Sequence, residues 1–248
     1  MPADLTALDA TALVVFAVIW LGFNMLFDGR FRRPNSINAL MLTVREAWMR
    51  ELLSRDNRIM DATLIGHAIR TAQFFASTTI ILIAGLAGVL GSADVVHNAT
   101  TRLALLLPTA TQSVLEFKIL LLIGIFVYAF FKFTWAIRQF NYFTAIVGSA
   151  PAPHAREPDR ELPKRMAMIL SHAVWQINAG VRAYYFAFAV LGWLVHPLLF
   201  IGMTVLMVLV LVRRQLTSAT AQAIAAHVQC LRADDAKSGA EAAARDLI

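Results

Sequence analysis

AYYFAFAVLGWLVHPLLFIGMTVLMVLVLV, residues 183–212, contains one histidine and no Asp, Glu, Lys or Arg. A single helix of this length would reach about 45 Å, well beyond a hydrocarbon core of about 30 Å. His196-Pro197 stands midway, and proline is at home at the first position of a new helix. Two readings compete. One is a single long helix over Ala183–Val212. The other is a tight hairpin, with one span near Ser171–Leu194 and the next near Pro197–Leu216.

The distribution of charge favours the hairpin. Eight arginines lie from Arg30 to Arg70, and Arg138, Arg156, Arg160, Lys164 and Arg165 follow the third apolar stretch. Five more basic residues follow Val212, beginning with Arg213-Arg214. A hairpin keeps these 18 of 22 basic residues on one side and leaves only Arg102 on the other. A single helix would export Arg213 and Arg214, against the tendency of basic residues to stay cytoplasmic. The hairpin instead places Arg182 within a span, at about 2.5–3.5 kcal/mol on insertion scales.

The rest of the chain has the same character. Of 248 residues, 58% are hydrophobic and 15% charged, and mean hydropathy is +0.63. Soluble domains carry about 25% charged residues. Ala10–Phe27 is uncharged, and from Thr71 the chain runs uncharged for more than twenty residues. Backbone groups cannot stay unpaired in lipid, and barrel-type alternation is absent, so the expectation is an all-α, polytopic transmembrane bundle. It has about five spans: 8–27, 63–90, 113–137, 171–194 and 197–216, or four if the last region is one helix. Asp4 precedes the first span, Asp9 stands at its start, and Arg30, Arg32 and Arg33 follow it. That pattern reads as a retained anchor with its N-terminus outside and the C-terminus cytoplasmic, as in a bacterial inner membrane.

Ile37, Leu40, Met41, Val44, Trp48 and Leu52 recur at helical spacing after a break at Pro34-Asn35-Ser36, and Ser36 is a fair N-cap. Glu46–Arg50 and Glu51–Arg55 have i,i+4 spacing. This predicts an amphipathic helix on the cytoplasmic side, packed on the protein. Ala84/Gly88 and Ala87/Gly91 are small-xxx-small pairs of the kind that bring helix backbones together in lipid. The segment after 216 is a polar, Ala-rich cytoplasmic tail expected to fray towards Ile248.

Polar groups within the spans are the candidate functional residues. Ser171, Trp175, Asn178, Arg182 and Tyr185 fall within about 40° of one line on a helical wheel, a stripe that should face the interior or a wet cleft. Lys118 and Lys132 share a face of the third span, about 21 Å apart along its axis, and snorkelling towards opposite interfaces accounts for both. Glu116 is expected to accept from Arg102 or a helix end near the outer surface. On the functional reading, Arg182, Asn178, Tyr185, Lys118, Lys132 and Glu116 hold an anionic substrate or lipid headgroup.

No metal or nucleotide motif is present, Cys230 stands alone, and neither His67, His172 nor His196 lies at ligand spacing. No cofactor is expected. The net charge of +6 sits beside membrane segments, so the expected partners are the bilayer and a membrane protein or second copy, not nucleic acid. Three function classes remain, in order: a non-catalytic membrane component that binds partners or lipids; a small transporter or channel subunit with an anion-favouring interior around Arg182; and a membrane enzyme. The last lacks a positioned nucleophile or acid–base pair.

FFASTT (Phe74–Thr79), FKFTWAIRQFNY (Phe131–Tyr142), GSAP (Gly148–Pro151) and RAYYFA (Arg182–Ala187) resemble a bacterial and plant membrane family, domain of unknown function 599. The resemblance runs from the first span to about Arg214 and leaves Thr217–Ile248 outside. It implies a multi-span helical protein of the cell membrane and no particular chemistry.

Overall fold

The computed structural model describes residues 5–28, 36–92, 111–153, 159, 161–216 and 218–245. Expectations for Arg30, Arg32, Arg33, Pro34-Asn35, Arg102 and most of the loop after Pro153 lie outside the described residues. Seven helices and no strand occur among the described residues: α1 Ala7–Asp28, α2 Ile37–Ser54, α3 Ile59–Gly91, α4 Gln112–Ser149, α5 Leu162–Val195, α6 Pro197–Leu216 and α7 Ala219–Arg245. The tail described from Ala219 is therefore helical as far as Arg245.

The run quoted above is two helices. His196 breaks them, with φ −158° and ψ 140°, and Pro197 opens α6. The helices are antiparallel, since Arg214 near the end of α6 donates to the Tyr185 hydroxyl, eleven residues before the break. α1, α3, α4 and a segment starting at Pro197 are long and apolar enough to cross a membrane by length and composition. α5 is not among these because its polar stripe lowers its hydropathy. It needs less apolar surface, being the central helix, packed against α4, α6 and α2.

Two cores stack along the bundle. In one, Phe16 and Phe23 of α1, Leu122, Ile125 and Phe133 of α4, Phe186, Val190 and Trp193 of α5 and Phe200 of α6 are buried together. Trp20 stacks on Phe186 with ring centroids 5.4 Å apart and meets Tyr128 edge-on at 5.6 Å, so α1 is seated on both α5 and α4. In the other, Met49 and Leu52 of α2 pack with Ile65 of α3, Phe140 and Phe143 of α4 and Met166 and Leu170 of α5. α2 thus lies against the bundle, as its apolar spacing requires, with Ser36 accepting from the Ala39 N–H at its start. Glu46 meets Arg50 at 4.0 Å. The expected Glu51–Arg55 pair is displaced: Arg55 turns to the buried Asp61 at 2.9 Å, which also accepts from Trp48 Nε1 at 2.7 Å.

The hairpin leaves the last carbonyls of α5 without helical donors. The His196 N–H takes that of Gly192. The next in register, on Trp193, would need residue 197, which is proline and lies beyond the turn. Lys118 fills the vacancy: its ammonium, on a residue only 5% exposed, donates to the Trp193 carbonyl at 2.8 Å and sits 5.2 Å from the Trp193 ring centroid. Trp193 Nε1 in turn donates to Asp9 at 2.6 Å, and Asp9 and Lys118 attract each other. Asp9 also closes a reciprocal cap with Thr6, accepting from its backbone N–H at 3.3 Å while its own N–H donates to Thr6 Oγ1 at 3.1 Å. The snorkelling reading of Lys118 is therefore corrected: the side chain turns inward, because an orphaned carbonyl and a buried carboxylate await it.

Close packing selects a different pair of glycines from those expected. A Cβ on Gly180 would come within 2.6 Å of the Phe133 ring, and one on Gly192 within 2.6 Å of Met203 Sδ, whereas nothing among the described residues lies within 4 Å at Gly88 or Gly91. Within this chain the Ala84–Gly91 face is exposed.

Two stability outcomes follow. Lys118→Met should lower unfolding stability in detergent by about 1.5–3 kcal/mol, the range for a hydrogen bond to a charged group, and Lys118→Arg by less. Gly180→Ala should cost about 1–3 kcal/mol by overpacking a fully buried ring; Gly192→Ala should cost less, because Met203 can swing aside. Thermal unfolding of the four variants checks both orders.

Candidate functional site

α5 carries the polar stripe because its neighbours on that side are α2 and α6, and they supply partners. Ser171 accepts from Arg45 Nη1 at 3.0 Å. Asn178 Nδ2 donates to Asn38 Oδ1 at 3.1 Å. Tyr185 accepts from Arg214. Burial pulls the Arg45 guanidinium down to about 10, so it remains protonated at neutral pH.

Between these contacts is a cavity of about 290 Å³, lined by Arg182, Asn178, Tyr185, Asn38, Arg214 and Thr220 among others. Arg182 is 3% exposed and lies 6.0 Å from the Phe23 ring centroid. One turn further along α5, Phe186 is wholly buried among Phe16, Trp20 and Phe23. The cavity therefore ends against packed aromatic rings. Its other wall comes from the first turns of α2 and α7, through Ile37, Asn38, Ser218 and Thr220. The described lining residues include two arginines and no Asp, Glu or His.

Of the six residues singled out by sequence, the structure gathers Arg182, Asn178 and Tyr185 at this cavity. Lys118 serves the hairpin. Lys132 is half-buried, 5.2 Å from the Tyr128 ring centroid on α4. Glu116 accepts from Gln112 Nε2 at 3.0 Å on its own helix, and Arg102, its other expected donor, is outside the described residues. Asn38, Arg214 and Thr220 were not anticipated. The sequence marks Arg214 only as a topology charge, and nothing in the local spacing around Asn38 separates it from a solvated first-turn residue.

The groups that an enzyme would have to bring together have separate partners. Asp61 is held by Trp48 and Arg55, Glu116 by Gln112, and His172 meets the Trp175 ring edge-on at 4.7 Å. No cluster of three or more metal-type side chains occurs among the described residues. Thr79, the last of the Ser77-Thr78-Thr79 run, donates to the Phe75 carbonyl at 2.6 Å and lies 2.7 Å from the Tyr184 hydroxyl, an interhelical contact and not a nucleophile with a base.

Fold and cavity together define a polytopic all-α membrane protein with a basic recess at the end of the bundle that carries α2 and α7. A family model described as "Protein of unknown function, DUF599" matches residues 11–220. The chain belongs to the DUF599 family. The match runs through all the spans and into the first turn of α7. No curated protein and no solved structure matches the chain.

α7 contributes to the cavity only while it is docked; Ala221 and Val228 are buried in that docking, and its polar tether is a forked pair in which Arg50 Nη2 lies 3.0 Å from Asp235 Oδ2 and Nη1 bonds Oδ1. Both partners are about half exposed, so salt screens them. Asp235→Asn, or about 1 M salt, should raise amide exchange across residues 219–237 while exchange in α4 and α5 stays unchanged; hydrogen-exchange mass spectrometry reads the difference.

Proposed function

We propose that this protein is a non-catalytic component of the membrane, a five-span chain with its N-terminus outside and its α2/α7 end in the cytoplasm, that holds an anionic lipid headgroup in the Arg182 cavity. The observation that carries this reading is a buried arginine at the base of a polar recess. A charge at that depth is expensive, and the folded chain surrounds it with polar groups. From the hairpin tip at His196 to Arg182 is 14 residues, about 21 Å of helix. With the tip at one interface of a core of about 30 Å, Arg182 falls about 9 Å inside the other. That is within reach of headgroups entering from the basic side.

The aromatic packing behind Arg182 supports binding over conduction, since a transporter needs a continuation that Phe16, Trp20, Phe23 and Phe186 fill. Association with another transmembrane helix is a second reading. It is supported by the exposed Ala84, Ala87, Gly88 and Gly91 on α3, which leave room for close backbone approach.

The test compares two cation deletions. Arg182→Ala should abolish the stabilisation of the purified protein by anionic lipid, and Lys132→Ala should leave it within about twofold of wild type. Thermal unfolding in neutral-lipid nanodiscs, with and without anionic lipid, gives the result. Equal effects of the two substitutions would refute the assignment.

A further inference from the structure

Most of the side chains that line the recess are neutral hydrogen-bonding groups: Asn38, Asn178, Tyr185, Gln215, Ser218 and Thr220. Several of them are already engaged within the protein. Asn178 Nδ2 donates to Asn38 Oδ1 at 3.1 Å, and Tyr185 accepts from Arg214. Ser218 Oγ donates to the Arg214 carbonyl at 2.8 Å and accepts from the Ala221 N–H at 3.1 Å.

Two polar atoms on this wall are buried and left over. Asn38, the second residue of α2, is 7% exposed, and its buried Nδ2 has no hydrogen-bond partner among the described residues. Gln215, next to last in α6, has a buried Oε1 in the same condition. One is a donor and the other an acceptor. A buried polar atom left without its bond costs free energy. Two of them on the wall of one cavity of about 290 Å³ call for a compact ligand that both accepts and donates.

A hydroxyl has both capacities on one oxygen. An ammonium only donates, so it serves Gln215 and not Asn38; an ionised carboxylate or phosphate oxygen only accepts, so it serves Asn38 and not Gln215. A headgroup with an ammonium and a carboxylate can reach both. Its cation, however, would meet no Asp or Glu among the described lining residues, and desolvating a charge against a neutral amide costs far more than desolvating a hydroxyl. The cavity is at the lower limit of ligand pockets, about 300–1,000 Å³, a size for a headgroup and not for a whole lipid.

We infer that the headgroup held in the recess is a polyol of the glycerol type, whose hydroxyls accept from Asn38 Nδ2 and donate to Gln215 Oε1. This rests on the anionic-headgroup reading above and names the chemistry beyond the phosphate. Discrimination among anionic lipids of equal charge falls to the two amides. The polyol can come from a phosphatidylglycerol-type lipid or from a water-soluble glycerol phosphodiester.

The experiment uses the full chain in phosphatidylcholine nanodiscs. Short-chain phosphatidylglycerol, phosphatidylserine and phosphatidic acid, and glycerophosphoglycerol, are titrated against wild type, Asn38→Leu and Gln215→Met. Phosphatidylserine has the same net charge as phosphatidylglycerol, so the pair isolates the hydroxyls. Asn38→Leu also removes the acceptor of Asn178; Gln215 is only half-buried, so Gln215→Met folds even if the other variant does not. Phosphatidylglycerol should bind wild type about tenfold more tightly than phosphatidylserine or phosphatidic acid. Each substitution should weaken phosphatidylglycerol about fivefold, the loss of one neutral hydrogen bond, and change phosphatidylserine less than about twofold.

If glycerophosphoglycerol matches phosphatidylglycerol, the ligand is a soluble diester; if only phosphatidylglycerol binds, it is a lipid. Either supports the polyol site. Equal binding of the three anionic lipids, each tighter than short-chain phosphatidylcholine, would overturn the polyol assignment and leave the anion site standing. A preference for phosphatidylglycerol that persists in both variants would also overturn it, because the hydroxyls would then be read elsewhere. Binding of no anionic lipid above phosphatidylcholine would overturn both.

Discussion

A single ammonium group closes the end of the bundle away from α2. A helix that stops within a membrane protein must dispose of its last carbonyls, and no water in the acyl region can take them. α5 stops at Val195 and the chain reverses within one residue, so the Trp193 carbonyl has no donor from its own chain direction. Lys118 crosses from α4 to supply one. Because the same tryptophan holds Asp9 through its indole N–H, three helices are tied at one point, and the charge that α4 brings is met by the carboxylate of α1. Without this knot the hairpin tip would be an uncompensated helix end beside an uncompensated acid.

The opposite end works by different means. There the polar stripe of α5 is covered by α2 and α6, and three of its residues have specific partners on those helices: Ser171 with Arg45, Asn178 with Asn38, Tyr185 with Arg214. Apolar helices grip through volume, as Gly180 does against Phe133. The stripe adds register, because a hydrogen bond tolerates far less sliding than a methyl contact does. The recess at Arg182 lies at the start of α2, where Ile37 and Asn38 and the residues that open α7 form its wall.

Much of this was legible in the chain. The uncharged runs from Ala10 and Thr71 and the run after Pro197 prescribe helices in lipid, and the arginine distribution around Arg213-Arg214 chose the hairpin before any coordinate did. The wheel that aligned Ser171, Asn178, Arg182 and Tyr185 identified the side of α5 that meets protein. Lys118 was misjudged for a physical reason: spacing along one helix tells how far an ammonium can reach, but its acceptor is a carbonyl made available by a proline 79 positions later. Asn38 and Asp9 were hidden likewise, since a short polar side chain near a helix start looks solvated until the neighbouring helix is known. The small-residue pairs on α3 read as a site of close approach, and among the described residues no neighbour comes within 4 Å of a Cβ built at Gly88 or Gly91.

α4 runs unbroken for 38 residues, about 57 Å, and contributes Leu122 and Phe133 to one core and Phe140 and Phe143 to the other. It is the axle on which both layers are mounted. A bilayer that grows thinner tilts a rod it cannot shorten, and a tilt of this rod carries the α2 layer with it. Membrane thickness is thereby coupled mechanically to the alignment of the α2 layer, without any hinge between the two.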